Sequence, residues 1–502
     1  MRAVAGMSAG PVVQLRSGAV RGRTVAGIHR FLGVPYARPP IGEDRFRPPR
    51  PAQPWTGVRD ALTYGPTAPQ PAFALPPELD LQYPTVPGED CLNLNVWTSD
   101  LGAAGHPVLV WLHGGGMEGG SSVGYDGSRF ARDGVVCVTL NYRLGVEGFL
   151  HLDDGVVNLG LLDQVAALEW VQDNIAAFGG DPDNVTIAGQ SSGAMFVGML
   201  LTAPRARGLF RRAILQSGAG NAVVDPETAH HVGRVLAGVL GVPPTREAIA
   251  AVPMPRLLRA LDGVAAELAA HPDPRRWNGE PGSRVTAWKP VVDGQVLPAN
   301  PLDEVAAGAG ADVDVLIGSN AEEGRLSLVP FGGLGRTTDE VLAEAARLYE
   351  LPVERALAVY REGNPGAAAG DLLALLQRDW WYRAPSYRLA EARARTGSTT
   401  YLYDFAWRSP QFDGLLGACH YLEVPFVFDL LDSPRFQQLT GPTPPQSLAE
   451  AMHAAWVSFV AAGEPGWPAY DLVSRPVQRF DERPRLVHDP APGERTVWDG
   501  VF

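Results

Sequence analysis

The stretch Gly189-Gln190-Ser191-Ser192-Gly193 constrains the fold more than any other part of the chain. An apolar segment typical of a buried strand, NVTIAG, leads into it, and a helical pattern, SGAMFVGMLLTA, follows it. A serine between two glycines at a strand–turn–helix junction is typical of a turn too tight for neighbouring Cβ atoms, which exposes the serine hydroxyl. The pattern therefore predicts that Ser191 is a nucleophile. The alternative is a glycine-flanked turn that carries an incidental serine.

Alternating strand and helix patterns surround this turn. Strand-like segments are PVLVWLH, GVVCVTLNY, RRAILQSG, VDVLIGS and TTYLYDFAW, and helical segments such as LLDQVAALEWVQDNIAAF lie between them. The alternation predicts an α/β fold, with a mostly parallel central sheet and helices on both of its faces. The Ala/Leu-rich residues from about 225 to 288 are predicted to form a helical insertion over the active site. We expect a single domain over residues 11–502.

Composition and charge disfavour several classes of partner. The 502 residues carry a formal net charge of −13, which disfavours a nucleic acid. No run of about 18 apolar residues occurs, so no membrane-spanning helix is expected, and the amino terminus lacks the apolar core of a signal peptide. Cys91, Cys137 and Cys419 fit no metal-ligand spacing, so reduced thiols are expected. We therefore expect a cytoplasmic monomer with no nucleic-acid or membrane partner, no metal and no cofactor.

A serine nucleophile needs a general base, and the base needs an acid that orients it. Among the histidines beyond Ser191, only His420 lies in a loop after a strand-like segment, TTYLYDFAW, and we predict that it is the base. The acid is expected after an earlier strand. The loop after VDVLIGS offers two candidates, Glu322 and Glu323, which the residues alone do not separate.

A glycine-rich segment, HGGG at 113–116, directly follows the strand-like segment PVLVWL. Consecutive glycines allow backbone N–H groups to converge on one point, and the amide of Ser192 adds another donor there. Such a loop can also bind phosphate, but the Met-Glu pair that follows would repel an anion and no G-x-x-x-x-G-K-[ST] pattern is present. The segment therefore predicts an oxyanion hole.

Over nearly its whole length the chain resembles the type-B carboxylesterases, the family that includes bacterial para-nitrobenzyl esterases and the cholinesterases. The segments that match family motifs, in order, are FLGVPYARPPIGEDRFRPP, GEDCLNLNVW, LVWLHGGG, YDGSRFA, NYRLGVEGF, NLGLLDQVAALEWVQDNIAAFGGDPDNVTIAGQSSGA, ILQSG, IGSNAEEG, the His420 loop and WVSFVAAGEPGWPAY. The resemblance implies an α/β-hydrolase fold and a serine carboxylesterase that hydrolyses small-molecule carboxylic esters through an acyl-enzyme intermediate. Aryl or bulky esters are candidate substrates.

The resemblance also assigns roles to individual residues. It implies a Ser-His-Glu triad of Ser191, His420 and Glu323, because the family's acid is the Glu immediately before a glycine, here Gly324. The oxyanion donors that it implies are the backbone N–H groups of Gly115, Gly116 and Ser192. It further implies two structural salt bridges, Arg45–Glu89 and Arg143–Asp163.

Several positions depart from the family pattern. The family usually has Glu-Ser-Ala around the nucleophile, where this chain has Gln190 before the serine and Ser192 after it. Met117 stands where Phe or Ala is common, and its flexible side chain would reshape the acyl pocket. Cys91 stands where secreted relatives form a disulfide, but the expected partner position is Ala68, which fits a reducing compartment. No counterpart of the cholinesterases' choline-binding tryptophan is found, so choline esters are disfavoured.

Two other functions fit parts of the same pattern. A catalytically inactive adhesion protein, like the neuroligins of this superfamily, typically lacks the nucleophile and is membrane-anchored, whereas here every triad position is filled. An amide or carbamate hydrolase would use the same triad, and the sequence does not separate it from an esterase. Trp380-Trp381-Tyr382 fits either a pocket for aromatic groups or core packing.

Overall fold

The computed structural model describes residues 10–72, 79, 83–102, 104–152 and 155–502. Within them, eleven strands form one mixed sheet in the order β14-β13-β12-β11-β10-β9-β7-β8-β6-β4-β3, and β1, β2 and β5 form a small second sheet. The strands are β1 Val12–Leu15, β2 Gly18–Arg21, β3 Arg23–Val25, β4 Ile28–Pro35, β5 Val58–Asp60, β6 Asn93–Thr98, β7 His106–Leu112, β8 Val136–Leu140, β9 Gly180–Gln190, β10 Arg212–Gln216, β11 Asp314–Asn320, β12 Thr400–Phe405, β13 Pro476–Phe480 and β14 Arg485–His488.

Helices lie between the strands. They are α1 Ser128–Arg132, α2 Gly145–Phe149, α3 Leu159–Asn174, α4 Ser192–Leu200, α5 Pro226–Leu240, α6 Arg246–Ala250, α7 Met254–Ala269, α8 Pro301–Ala306, α9 Arg325–Leu328, α10 Gly333–Arg336, α11 Asp339–Leu348, α12 Val353–Gly363, α13 Ala369–Arg378, α14 Ala384–Arg395, α15 Val424–Val427, α16 Pro434–Thr440, α17 Gln446–Ala462 and α18 Pro492–Val497. A π-helical turn, Asp379–Arg383, joins α13 to α14.

The middle of the large sheet is parallel. Strands β8, β7, β9, β10, β11, β12 and β13 pair in parallel, and the strands beyond them at both edges pair antiparallel. Because parallel strands all end at the same edge, the loops after β7, β9, β11 and β12 meet there. These four loops carry the predicted site residues, so the topology brings together positions that are far apart in sequence.

Two apolar layers cover the sheet, one on each face. Successive side chains of a strand point to opposite faces. Thus Val108 and Val110 of β7 pack in one cluster with residues of α3 and α4, while Leu109 and Trp111 pack in a second cluster with residues of α17. Each fully buried apolar side chain of this size contributes about 1.5–3 kcal/mol. The predicted mostly parallel sheet with helices on both faces is confirmed.

Two segments differ in detail from the sequence patterns. The Ala/Leu-rich segment forms α5, α6 and α7 as far as Ala269, and the remainder to residue 288 contains no further helix. The proline-rich carboxyl-terminal region forms an antiparallel pair, β13 and β14, which closes one edge of the sheet. The single-domain boundaries stay a prediction.

One of the two implied salt bridges is present and the other is wrong. Arg143 and Asp163 are buried and form a bidentate pair, with N···O distances of 2.8 and 2.7 Å. Arg45, however, pairs with Glu147 at 2.7 Å rather than with Glu89. The reason is physical: the Glu147 side chain is only 6% exposed and needs a counter-charge, whereas Glu89 is exposed and solvated by water.

Across the described ranges, no helix combines the length and apolar character needed to cross a membrane.

Candidate active site

Ser191 occupies the turn between β9 and α4, and its backbone is strained. It has φ +59° and ψ −127°, a conformation that non-glycine residues rarely adopt. The turn is crowded: a Cβ on Gly189 would lie 2.4 Å from the Gly193 carbonyl carbon, and one on Gly193 would lie 2.1 Å from the Leu112 oxygen. Only glycine fits on either side. The predicted strand–turn–helix junction is confirmed.

His420 and Glu323 meet beside this turn, from the loops after β12 and β11. His420 Nδ1 lies 2.5 Å from Glu323 Oε2. The second carboxylate oxygen of Glu323 accepts hydrogen bonds from the Ser217 hydroxyl at 2.6 Å and from the Asn320 backbone N–H at 2.7 Å. Because Nδ1 faces a carboxylate, we assign the proton to Nδ1, which leaves Nε2 as the basic atom.

Gln190 is the hydrogen-bond partner of that basic nitrogen. Its amide nitrogen lies 3.3 Å from His420 Nε2 and donates to it. The carboxylate that the family usually carries at this position could not donate such a bond. The contact was not predicted from the sequence, although the unusual Gln marked the position.

Tyr382 lies against His420. Its ring stacks on the His420 imidazole, with the ring centres 4.6 Å apart and the planes inclined by 21°. From the sequence, Trp380-Trp381-Tyr382 could either line a pocket or pack in the core. In the structure the residues differ: Trp380 is buried in the core against Tyr349, whereas Tyr382 packs against His420 in the candidate site.

The glycine loop lies directly against the serine turn. A Cβ on Gly114 would be 3.0 Å from the Ser191 Cβ. Gly115 and Gly116 have φ values of +128° and +67°, which glycine adopts without strain. A Cβ on Gly116 would meet nothing within 4 Å, so this side of the loop borders open space. The three predicted oxyanion donors therefore lie in two segments that pack against one another.

His113 holds this loop in shape. Its Nδ1 is 2.9 Å from the Gly114 oxygen, and its backbone oxygen accepts a hydrogen bond from the Tyr142 hydroxyl at 2.6 Å. Its ring stacks on Tyr142 with a centroid distance of 4.4 Å. Burial lowers the pKa of His113 to about 4, so the imidazole is neutral at physiological pH. A neutral ring can donate Nδ1–H to Gly114 without placing a charge beside the loop.

A second buried carboxylate lies behind the triad residues. Glu423 accepts hydrogen bonds from Asn320 Nδ2 at 2.7 Å and from Gln216 Nε2 at 3.1 Å. Burial, with the nearby Glu323 charge as the next cause, raises the pKa of Glu423 to about 7. Near neutral pH, Glu423 therefore holds a proton more readily than an ordinary carboxyl group, and the protonated form does not repel Glu323.

Glu118 ties the glycine loop to the segment that follows α7. Its Oε1 accepts a hydrogen bond from the Ala287 backbone N–H at 3.1 Å. Burial raises the pKa of Glu118 to about 7, and the positive charges of Arg284 and Lys289 offset only part of that increase. A carboxyl group that is protonated near neutral pH therefore joins these two segments.

Replacing Glu118 with Gln is expected to stabilise the protein increasingly as the pH rises. The usual pKa of this group is 4.5 and the folded-state value is about 7. Its stabilising contribution is therefore complete below pH 4.5 and is lost as the pH rises through about 7. Between about pH 5.5 and pH 8, the variant should gain up to about 2 kcal/mol on the parent. Melting temperatures measured at both pH values test this, and a difference that does not change with pH would contradict it.

A family model described as the carboxylesterase family matches residues 9–488. The chain belongs to the carboxylesterase family. It is 35% identical over 500 residues to the para-nitrobenzyl esterase of Bacillus subtilis (strain 168), covering 96% of this chain and 97% of that one. It is 37% identical over 476 residues to the phenmedipham hydrolase of Pseudarthrobacter oxydans, covering 92% and 93%. This carboxylesterase is therefore a carboxylic ester hydrolase.

Solved structures agree with the fold of this carboxylesterase. The crystal structure of a Geobacillus stearothermophilus carboxylesterase at pH 6.2 is similar, with a TM-score of 0.84 and 37% identity over 97% of this chain and 99% of that one. The expected α/β-hydrolase fold is confirmed.

The cysteines of the carboxylesterase are unpaired. Cys91, Cys137 and Cys419 are all buried, and burial raises the pKa of each thiol. Cys91 and Ala68 line the same cavity of about 290 Å³.

Proposed function

We propose that this carboxylesterase hydrolyses carboxylic esters through an acyl-enzyme intermediate, with Ser191 as nucleophile, His420 as general base and Glu323 as the orienting acid. The observation that carries the proposal is the 2.5 Å contact between His420 Nδ1 and Glu323 Oε2 beside the strained turn of Ser191. This contact fixes which ring nitrogen of His420 is free to accept a proton.

In the acylation half, His420 Nε2 takes the Ser191 proton as the serine oxygen attacks the ester carbonyl carbon. The Gln190 amide, which donates to Nε2 in the free enzyme, has to give up that hydrogen bond first. The negative charge on the carbonyl oxygen is stabilised by the N–H groups of Gly115, Gly116 and Ser192, each worth roughly 3–4 kcal/mol in related chemistry.

The alcohol then leaves with the proton from His420, and Glu323 stabilises the imidazolium while it exists. Water enters and gives its proton to His420 Nε2. Its oxygen attacks the acyl carbon, and the bond to Ser191 breaks. Ser191 recovers its proton and the carboxylic acid is released, so both halves use the same residues.

Aryl or bulky esters are the substrates that we infer. Trp381 and Tyr382 are partly exposed on the turn that packs against His420, and they offer aromatic surface to a substrate. The names of the two similar proteins, a para-nitrobenzyl esterase and a phenmedipham hydrolase, agree with aromatic substrates. A cytoplasmic location stays a prediction, which the buried and unpaired thiols support. A monomeric state also stays a prediction.

Labelling combined with a substrate panel tests the proposal. A fluorophosphonate probe should modify one residue stoichiometrically, and peptide mass spectrometry should identify Ser191. The panel contains para-nitrophenyl esters of increasing acyl length, a para-nitrobenzyl ester, phenmedipham, an aryl carbamate and an anilide. We expect hydrolysis of the esters. Labelling at another residue, or preference for the anilide or the carbamate over every ester, would contradict the proposal.

A further inference from the structure

Lys289 is the only lysine in the sequence, and every other Lys/Arg position is an arginine. The residue is buried, with 3% of its surface exposed. Its Nζ donates one hydrogen bond, to Asn278 Oδ1 at 2.9 Å, and forms no ion pair with any residue that the structure describes. An ammonium group carries three N–H donors, and buried charges in proteins are normally paired. Lys289 therefore has hydrogen-bonding capacity that its described neighbours leave unused.

Trp381 connects Lys289 to the candidate active site. Lys289 Nζ lies 5.5 Å from the centre of the Trp381 ring, within the range of a cation–π contact. Trp381 is partly exposed and directly precedes Tyr382, whose ring stacks on the His420 imidazole. Consecutive Cα atoms are about 3.8 Å apart. The buried ammonium group therefore lies against an aromatic side chain that adjoins the proposed general base.

Glu280 lies at the edge of the same Trp381 ring. Its Oε1 accepts hydrogen bonds from Trp381 Nε1 and from the Tyr349 hydroxyl, both at 3.1 Å. Its Oε2 is buried and has no hydrogen-bond partner in the described part of the chain. One aromatic ring therefore has an ammonium group over its face and a carboxylate at its edge, and both groups have unused hydrogen-bonding capacity.

We propose that Lys289, Glu280 and Trp381 form a substrate subsite for an uncharged amide group carried on an aromatic ring. The carbonyl oxygen of that group accepts a hydrogen bond from the Lys289 ammonium, its N–H donates to Glu280 Oε2, and the aromatic ring packs on Trp381. The amide is bound and not cleaved, and the bond that breaks is the ester at Ser191. This inference rests on the proposed function and names a substrate class for it.

The two opposite charges of the subsite disfavour a charged substituent. A carboxylate would be attracted by Lys289 but repelled by Glu280, and an ammonium group would meet the reverse. Burial lowers the pKa of Lys289 to about 8, and the charge of Glu280 offsets part of that decrease, so the ammonium form predominates at neutral pH. An amide dipole, with a negative oxygen and a positive N–H, is complementary to both groups.

The use of lysine in a chain that otherwise uses arginine supports a compact donor at this position. An arginine side chain ends in a planar fork with five N–H donors, which is suited to pairing with a carboxylate such as Glu280. The lysine ammonium group is a smaller point charge with three donors. Lysine can therefore leave Glu280 Oε2 available to a substrate.

Matched aryl esters test the inference on the intact protein. Meta- and para-acetamidophenyl acetate carry both the N–H and the carbonyl, whereas the matching acetonylphenyl acetates have CH₂ in place of the N–H. In at least one of the two ring positions, we expect kcat/KM to favour the acetamido ester by about tenfold or more, the effect of a hydrogen bond to a charged group. The corresponding carboxymethylphenyl acetates should be the poorest substrates of the three.

Two variants separate the two proposed hydrogen bonds. Glu280→Gln should bring the acetamido-to-acetonyl ratio of kcat/KM towards one, because the carboxylate that accepts the N–H is lost. Lys289→Met should lower kcat/KM for both carbonyl-bearing esters relative to phenyl acetate, by about tenfold or more. Arg276→Met is the matched control, since it removes one positive charge that lies 5.4 Å from the centre of the Trp277 ring. Its ratios should equal those of the parent.

Parent ratios near one at both ring positions would overturn the inference, and so would a preference for the carboxymethyl esters. This parent measurement decides the matter even if a variant fails to fold. Ratios in Lys289→Met and Glu280→Gln that equal those of Arg276→Met would also overturn it. If the parent neither hydrolyses phenyl acetate nor is labelled at Ser191, the proposed function fails. If it does both without the expected preference, only the subsite is wrong.

Discussion

Replacing Ser191 with alanine is expected to lower kcat for ester hydrolysis by about 10⁶-fold, the size of the loss when a serine hydrolase loses its nucleophile. The melting temperature should stay nearly unchanged. Alanine keeps the Cβ atom, so the strained backbone at φ +59° is the same in both proteins and only the oxygen is removed. Ester hydrolysis and thermal unfolding, measured on the same preparations, test both parts.

Ser192→Ala is the matched comparison for this variant. The Ser192 hydroxyl is buried and has no hydrogen-bond partner within the described ranges. The proposed role of this residue belongs to its backbone N–H, which alanine retains. We therefore expect activity within an order of magnitude of the parent and stability that is equal or higher, because an unsatisfied buried hydroxyl is destabilising. Substantial activity in Ser191→Ala, or probe labelling at Ser192, would contradict the assignment of the nucleophile.

Glu323→Gln is expected to lower kcat by about 10⁴-fold, the precedent for replacing the acid of a triad by its amide. The Glu323 carboxylate contacts His420 Nδ1 and also accepts two further hydrogen bonds, from Ser217 and Asn320. An amide has no negative charge to stabilise the imidazolium. If its NH₂ group faced His420, it would favour the tautomer that carries the proton on Nε2, which cannot accept the Ser191 proton. Steady-state kinetics on one para-nitrophenyl ester measure the loss.

Glu322→Gln makes the same charge change one residue away. The Glu322 side chain points away from His420, to Arg325 and Arg408 and to the backbone N–H of Ala418. We expect kcat to change by only a few-fold and stability to fall by about 1 kcal/mol, since these partly exposed ion pairs are worth little. If Glu322→Gln, rather than Glu323→Gln, shows the large loss of kcat, the acid is misassigned by one residue. If neither variant is impaired, the acid lies elsewhere.

The parts of the site that depend on local chemistry could be predicted from the sequence. The crowding at Gly189 and Gly193 and the positive φ of Gly115 and Gly116 each follow from one short segment. The convergence of Ser191 with the loops of His420 and Glu323 follows from a parallel sheet, in which all strands end at one edge. The residues alone left Glu322 and Glu323 open. The family resemblance chose Glu323, and the structure brings that residue to His420.

The remaining contacts depend on packing that no short segment encodes. Arg45 pairs with Glu147 and not with Glu89, because the choice depends on which carboxylate the fold removes from water. Tyr382 stacks on His420 from a π-helical turn, Asp379–Arg383, that the sequence pattern did not predict. Gln190 donates to His420 only because the two loops are close in space. Each of these features requires the tertiary arrangement.

The backbone conformation of Ser191 lowers the stability of the fold at the position of the proposed nucleophile. A non-glycine residue held at such a φ and ψ costs about 1–3 kcal/mol, which the surrounding packing has to offset. Glycine would remove that cost together with the hydroxyl, so selection for a longer-lived fold alone would favour loss of the nucleophile. A gene copy freed from hydrolysing esters should therefore drift towards glycine at this position.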